Sequence, residues 1–367
     1  MNTFGTHIRL TTFGESHGPA MGGVIDGLPS RFRIDFDAIV TAMARRRPGS
    51  GPLASGRRES DIPEFLSGLT PDGVTIGTPV AFIVRNTDAR SRDYDALRDV
   101  YRPGHADFTY DCRYGIRDHR GGGRASARET VSRVVAGAIA MQLLESVGVR
   151  IETFLASAGE ASLSGIVEAW ERNEDFTPDP VEEERIHDAV DAARRDGDSI
   201  GGTVCCRISG IPAGIGDPVY GKLSACLSEA MMGINAAKGF EYGSGFAASR
   251  RFGSENNDPF TTDAEGRIVT ATNRAGGILG GISDGMPVWF RVAFKPTPSI
   301  SREQRTVDRQ GRSTVISVEG RHDPCVALRG VAVVEAMAAL TVADMMAARG
   351  YFFTENPNFP ITGPSSR

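Results

Sequence analysis

Apolar positions recur with helical spacing in five stretches of the chain and with strand character in four. The clearest helix opens at Ser126. Ser126 and Glu129 form an S-x-x-E capping pattern, Val131, Val134, Val135, Ala138 and Met141 share one face, and Gly148 follows the end. Residues 37–47 read as a second helix that stops before Pro48, and residues 181–195 as a short amphipathic one. Leu223, Cys226, Leu227, Ala230, Met231 and Ile234 mark a fourth. A final helix is predicted from Pro324 to Arg349, with Asp323 as N-cap, Pro324 at the first helical position and Gly350 past the end. Strands are predicted over 5–13, 74–85, 199–209 and 287–295. Strands and helices alternate irregularly, without the βα rhythm of a parallel sheet. The expected class is therefore α+β, antiparallel sheets packed against helices in one large domain over residues 1–353.

Between these elements lie segments without periodicity. PGSGPLASGRRESD (48–61) reads as a long surface loop, and 101–124 is irregular and rich in Gly and Arg. Residues 165–198 form an acidic stretch, expected to be an exposed excursion, and the tail 354–367 is expected to be mobile.

Composition narrows the function. Glycine supplies 44 of 367 residues, well above ordinary usage, so many backbone sites are tight. No stretch reaches the roughly 18 apolar residues of a membrane helix. The N-terminus MNTFGTHIRL lacks a basic start and apolar run, so a cytoplasmic location without membrane attachment is expected. Five cysteines without a CxxC pair lie in segments that read as core and are expected to be reduced and structural, with no metal. Residues 1–150 hold 20 arginines and no lysine. Forked guanidiniums grip phosphates and carboxylates in pairs. A net charge of -5 argues against general affinity for nucleic acid.

Five motifs could carry chemistry. Gly14-Glu15-Ser16-His17-Gly18 has the G-x-S-x-G form of a hydrolase elbow, but such an elbow requires a helix after the serine and the PAMGGVIDGLP that follows would make a poor one. Arg102-Pro103-Gly104-His105-Ala106-Asp107 places a histidine after a Pro-Gly turn; GGGRASARET places glycines and arginines where a helix begins, a site for an anion. Arg321-His322-Asp323-Pro324 reads as a helix start or a cleft carboxylate, and Lys295-Pro296-Thr297-Pro298-Ser299 as a strand end suited to a phosphate monoester or to solvent. Read singly, these leave a serine hydrolase and a noncatalytic polyanion binder as alternatives to an anion-handling enzyme.

Taken in order, GESHGPAMGGVIDGLP, RRRPG, RPGHAD, GGGRASARET with RVVAGA, INAAKG, AGGILGGISDG, KPTPSI and RHDPC with Glu335 downstream resemble the motif set of the chorismate synthase family. The resemblance implies a β-α-β sandwich, a homotetramer and a lyase of the shikimate pathway, which leads to the aromatic amino acids. That lyase converts 5-enolpyruvylshikimate 3-phosphate to chorismate and phosphate by anti 1,4-elimination and requires reduced FMN. By position, it implies that His17 protonates the departing phosphate, that His105 lies beside the flavin, and that Asp323 assists deprotonation through the flavin. Substrate contacts carry over to Ser16, Arg47, Arg57, Arg102, Ala127, Arg128 and Arg321. Flavin contacts carry over to Arg124, Ala125, Ser126, Asn235, Ala236, Gly280, Lys295, Thr297, Ser299 and Arg321, and Arg46 matches a position linked to NADPH.

The chain departs from the family pattern at three places. Ser50-Gly51-Pro52 stands where many members carry another arginine, position 125 is alanine where serine is common, and His322 stands where serine is frequent.

Overall fold

The computed structural model describes residues 1–47, 61–87, 97–318 and 323–353. Two five-stranded sheets, antiparallel throughout, enclose a layer of helices. The first contains β1 (Thr3–Phe4), β2 (Arg9–Gly14), β3 (Ala20–Asp26), β4 (Pro63–Phe65) and β5 (Val80–Arg85), in the order β1-β2-β3-β5-β4. The second contains β6 (Arg150–Ala158), β7 (Ala161–Ser162), β8 (Gly202–Ser209), β9 (Ala237–Tyr242) and β14 (Val288–Phe294), in the order β7-β6-β8-β14-β9. Three hairpins complete the strands: β10 (Phe260–Thr262) with β11 (Ile268–Thr270), β12 (Ile278–Leu279) with β13 (Ile282–Ser283), and β15 (Gln304–Val307) with β16 (Ser313–Ile316).

Between the sheets run α1 (Phe36–Arg46), α3 (Thr130–Glu145), α6 (Leu223–Met232) and α8 (Ala327–Ala348). Asp35 starts α1 by accepting the amides of Asp37 (2.9 Å) and Ala38 (3.1 Å), and Ile39, Ala42 and Met43 are its buried face. α3 and α8 are buried on most sides and pack on each other where Gly137 meets Ala336. A Cβ at 137 would lie 2.3 Å from that of Ala336, so only glycine permits this approach. Ser132 Oγ donates to the Gly22 carbonyl at 2.9 Å and fixes α3 to the first sheet, while Thr153 Oγ1 donates to the Val331 carbonyl at 3.3 Å and fixes α8 to the second. Glu335 of α8 reaches Arg45 of α1 at 2.6 Å. The arrangement is the α+β class the pattern predicts and the β-α-β sandwich the family resemblance implies.

Several expectations are corrected. α8 is long and apolar enough by length and composition to cross a membrane, contrary to the scan for apolar stretches, but 78% of its most apolar window is buried inside the sandwich. It also begins at Ala327, three residues late, and Asp323 does not cap it: its carboxylate pairs with Arg329 instead. The Ser126 helix start resolves into two 3₁₀ turns, Gly123–Ala125 and Ala127–Glu129, ahead of α3. Glu129 bonds forward to Arg133 at 2.6 Å. The irregular 101–124 contains a helix, α2 (Asp107–Tyr114), and Cys112 on it is exposed where core was expected. The acidic segment contains α4 (Ile166–Glu171) and α5 (Pro180–Arg195), whose Ile166, Trp170, Ile186 and Val190 are buried in the common core, so it is part of the fold. A one-turn helix, α7 (Gly253–Asn256), completes the set.

Candidate active site

One end of the sandwich collects the β2–β3 turn, the 3₁₀ turns before α3, the α6–β9 junction, the loop after β14 and the start of α8. There they enclose a cavity of about 470 Å³, walled by Arg102, His105, Ala125–Arg128, Asn235, Ala236, Lys295, Thr297, Ser299, Asp323 and Arg329. A second cavity of about 750 Å³ adjoins it and shares His105, Ala106, Gly122, Ala125 and Asn235 as wall; Glu15, Tyr110, Arg117, Arg124 and Arg133 line its far side.

Backbone geometry aims these groups. The β2–β3 link is a tight turn closed by Gly18 N–H to the Glu15 carbonyl at 3.0 Å. It carries Ser16, which is buried, and His17, whose Nδ1 shares a 3.1 Å hydrogen bond with Ser16 Oγ. The motif is thus strand-turn-strand and lacks the strand-to-helix turn of a hydrolase elbow. Gly121, at φ 133°, lies against the His17 ring: a Cβ there would stand 2.3 Å from Nδ1. His17 therefore sits behind the glycine wall of the cavities. Arg102 Nη2 donates to the Gly121 carbonyl at 3.3 Å, which links this turn to the His105 segment. Ala236, at φ 68°, holds a left-handed conformation unusual for alanine where α6 hands over to β9, a strained position of the kind that clusters at ligand sites.

His105 and Asp107 act as a unit. His105 Nδ1–H donates to Asp107 Oδ1 at 3.0 Å, while Arg102 donates from its amide (3.0 Å), Nε (2.8 Å) and Nη2 (2.8 Å), and Arg117 Nη1 lies 2.8 Å away. Burial would raise the Asp107 carboxyl, but the Arg102 and His105 hydrogen bonds overcome it and hold it well below the usual carboxylate range. Burial lowers His105 below its ordinary value, with Asp107 acting in opposition, so the ring is neutral at physiological pH and its Nε2 carries the lone pair. Asp107 and Arg117 were not among the residues expected from the sequence. The only signal for Asp107 was its place two residues after His105 in RPGHAD.

Beneath the cavity lies a buried charge chain. Asp61 receives Arg46 Nη1 at 3.0 Å and Arg128 Nη1 on its other oxygen; Arg128 Nε donates to Asn86 Oδ1 at 2.9 Å. Arg46 spends Nε on Thr130 Oγ1 and Nη2 on the Ala127 carbonyl, each at 3.1 Å. Burial draws its guanidinium from 12.5 down to about 9, which still leaves it cationic at neutral pH. With no exposed side-chain surface and all three nitrogens engaged, Arg46 lines neither cavity and braces the Ala127 wall from behind.

The remaining expected residues divide as follows. Arg124 donates to Thr12 Oγ1 at 2.5 Å and faces the larger cavity. Ser126 Oγ accepts the Arg128 amide at 3.2 Å, as a cap should. Lys295 Nζ donates to the Gly104 carbonyl, and burial lowers its pKa. Asp323, freed from capping, pairs with Arg329 Nη2 at 2.5 Å. Arg47 ends α1 and lines neither cavity. Gly280 lies in the β12–β13 turn and also lines neither. Arg57, Arg321 and His322 lie outside the described residues, as do Ser50-Gly51-Pro52.

Two buried oxygens in the smaller cavity, Asn235 Oδ1 and Thr297 Oγ1, have no hydrogen-bond partner among the described residues. Such atoms cost free energy unless a ligand satisfies them. Together with the cationic walls they describe a chamber for a polar, multiply anionic molecule.

The sequence profile of the chorismate synthase family matches residues 8–347. The chain belongs to the chorismate synthase family. It is 51% identical over 355 residues to the chorismate synthase of Porphyromonas gingivalis, covering 94% of this chain and 95% of that one. Over 348 residues it is 49% identical to that of Christiangramia forsetii, covering 94% and 96%. A crystal structure of a chorismate synthase superposes with a TM-score of 0.73 at 27% identity, covering 94% of this chain and 93% of the other. The RPGHAD, GGGRASARET, INAAKG and KPTPSI motifs supply residues to these adjoining cavities.

Proposed function

We propose that this chain is a carbon-oxygen lyase that converts 5-enolpyruvylshikimate 3-phosphate to chorismate and inorganic phosphate by anti 1,4-elimination, and that the paired cavities hold substrate and reduced FMN. The observation that carries the reading is the convergence of cations. Arg102, Arg128, Lys295 and Arg329 line the smaller chamber against the carboxylate of Asp323, and Arg117, Arg124 and Arg133 line its neighbour among Glu15, Asp107, Asp118 and Glu129. A substrate with one phosphate and two carboxylates, beside a second phosphate ester, needs such compensation, and guanidiniums supply it.

The residues fit the flavin. Asn235 and Thr297 offer unpartnered buried oxygens, Ala236 and Ala125 keep the wall narrow, and Lys295, Ser299 and Arg124 supply donors. Reduced flavin, when bound, lends electron density to the substrate as the C–O bond breaks and takes it back, so the reaction has no net redox change. Arg46 is engaged within the protein, so a direct NADPH contact there is not carried forward.

Each protein group then has a defined task. His17, with Nδ1 tied to Ser16 behind Gly121, is the group assigned to protonate the phosphate oxygen as the C–O bond cleaves. Arg102 and Arg128, both buried and held by carboxylates, bind anionic substrate groups without reorganising. His105, kept neutral by burial and oriented by Asp107, adds no positive charge where electron density must be available. The Asp323 carboxylate assists removal of the C6 proton.

A homotetramer and a cytoplasmic location belong to the same proposal. Phe246, Phe252, Phe260 and Ile268 are 78%, 77%, 67% and 74% exposed, and β9 is an edge strand; both suit subunit contact. Light scattering tests the assembly.

Anaerobic turnover tests the chemistry. Phosphate and chorismate should appear in equal amounts and only with reduced FMN. Phosphate release without flavin, with fluorophosphonate labelling of Ser16, would favour the hydrolase alternative.

A further inference from the structure

Among the described residues, Arg329 is the charged group lining the smaller cavity to which no motif assigned a role, and it pairs with Asp323. Arg329 is the third residue of α8, and Nη2 meets Asp323 Oδ1 at 2.5 Å; the side chains are 16% and 15% exposed. Asp323 gains no anchoring from capping, since α8 starts at Ala327 with no side-chain cap bond. Its segment is instead fixed to the fold at Pro324, whose carbonyl accepts the Ile200 amide at 2.7 Å. The carboxylate therefore owes its direction to Arg329, which in turn is fixed by the first turn of a helix buried along most of its length.

We propose that Arg329 is a positioning residue for Asp323, holding one carboxylate oxygen so that the other faces the ligand. This rests on the reading of Asp323 given above. A planar guanidinium on a rigid helix restricts the carboxylate to one orientation, and a charge-assisted hydrogen bond keeps it an acceptor. Arg329 also faces the cavity and could instead bind a substrate anion. The two roles differ in a measurable way. A residue that acts through Asp323 loses its effect once Asp323 is neutral, whereas an anion ligand keeps it.

The experiment is a double-mutant cycle of Arg329→Met and Asp323→Asn in the full chain, scored by kcat, KM and affinity for oxidised FMN. Asp323→Asn and Arg329→Met should each lower kcat on the order of 10-fold or more, with KM and FMN affinity within about twofold of wild type. The double variant should be no slower than Asp323→Asn alone, and Arg329→Lys should recover part of the loss. Multiplicative losses, or a large rise in KM with Arg329→Met, would overturn the positioning role while leaving Asp323 in the mechanism. A normal rate for Asp323→Asn would instead overturn the reading of Asp323 itself. Unchanged FMN binding and melting temperature establish that each variant is folded; if Arg329→Met is not, Arg329→Gln takes its place in the cycle under the same criteria.

Discussion

Asp107 binds His105 and Arg102 with a single carboxylate: His105 Nδ1 lies 3.0 Å from Oδ1, and Arg102 Nε and Nη2 each lie 2.8 Å from one of its oxygens. One buried acid thus sets both the tautomer of an imidazole and the direction of a guanidinium facing the cavity.

Replacing it separates orientation from charge. Asp107→Asn keeps the shape but presents an amide that can donate to the imidazole, so the ring loses its enforced tautomer. Turnover should fall on the order of 10²-fold, near that of His105→Ala. Steady-state rates, with nitrogen-detected NMR of His105, check this; an unchanged rate would remove the pair from catalysis.

Stability should depend on pH through His105. Its folded pKa lies below the ordinary 6.5, so between the two values the unfolded chain binds more protons. Stability from this residue is complete above about pH 6.5 and is lost as pH falls toward the folded value. The melting-temperature difference between wild type and His105→Gln should therefore shrink, or reverse, from pH 7 to 5. A constant difference contradicts the buried, neutral histidine.

Asp61 neutralises two guanidiniums, and all three side chains are almost fully buried. Asp61→Asn removes the carboxylate that Arg46 and Arg128 share in a buried setting and should cost about 3–5 kcal/mol. Denaturant unfolding measures it. A loss below about 1 kcal/mol would mean that water reaches the pair.

Thr297 distinguishes a ligand group from a structural one. Its buried hydroxyl has no partner among the described residues, so Thr297→Val should leave the melting temperature of the ligand-free protein equal or higher. Affinity for oxidised FMN should drop by roughly tenfold, the worth of about one hydrogen bond. Lower stability with unchanged affinity would place the hydroxyl in the scaffold.

Much of this site was legible in the chain, since glycine-flanked motifs became the turns and junctions that wall the cavities, and periodicity located α1, α3, α6 and α8. What was not legible depends on distance in space. Asp61 gains its role from Arg46 and Arg128, one of which is 67 residues away. The start of α8 was misplaced because Asp323, the aspartate before proline, pairs with Arg329 instead of capping the helix. α2 escaped notice because it buries only Asp107, so no apolar stripe marks it. The acidic segment concealed Ile186 and Val190 among charges, and those two residues dock it on the core.

A crystal structure of the complex with oxidised FMN and 5-enolpyruvylshikimate 3-phosphate tests the central claim most directly. Both ligands should lie in the adjoining cavities, with their phosphates on guanidiniums and the flavin against Asn235 and Thr297. Ligands bound elsewhere, with Arg102, Arg128 and Asp323 facing solvent alone, would contradict it.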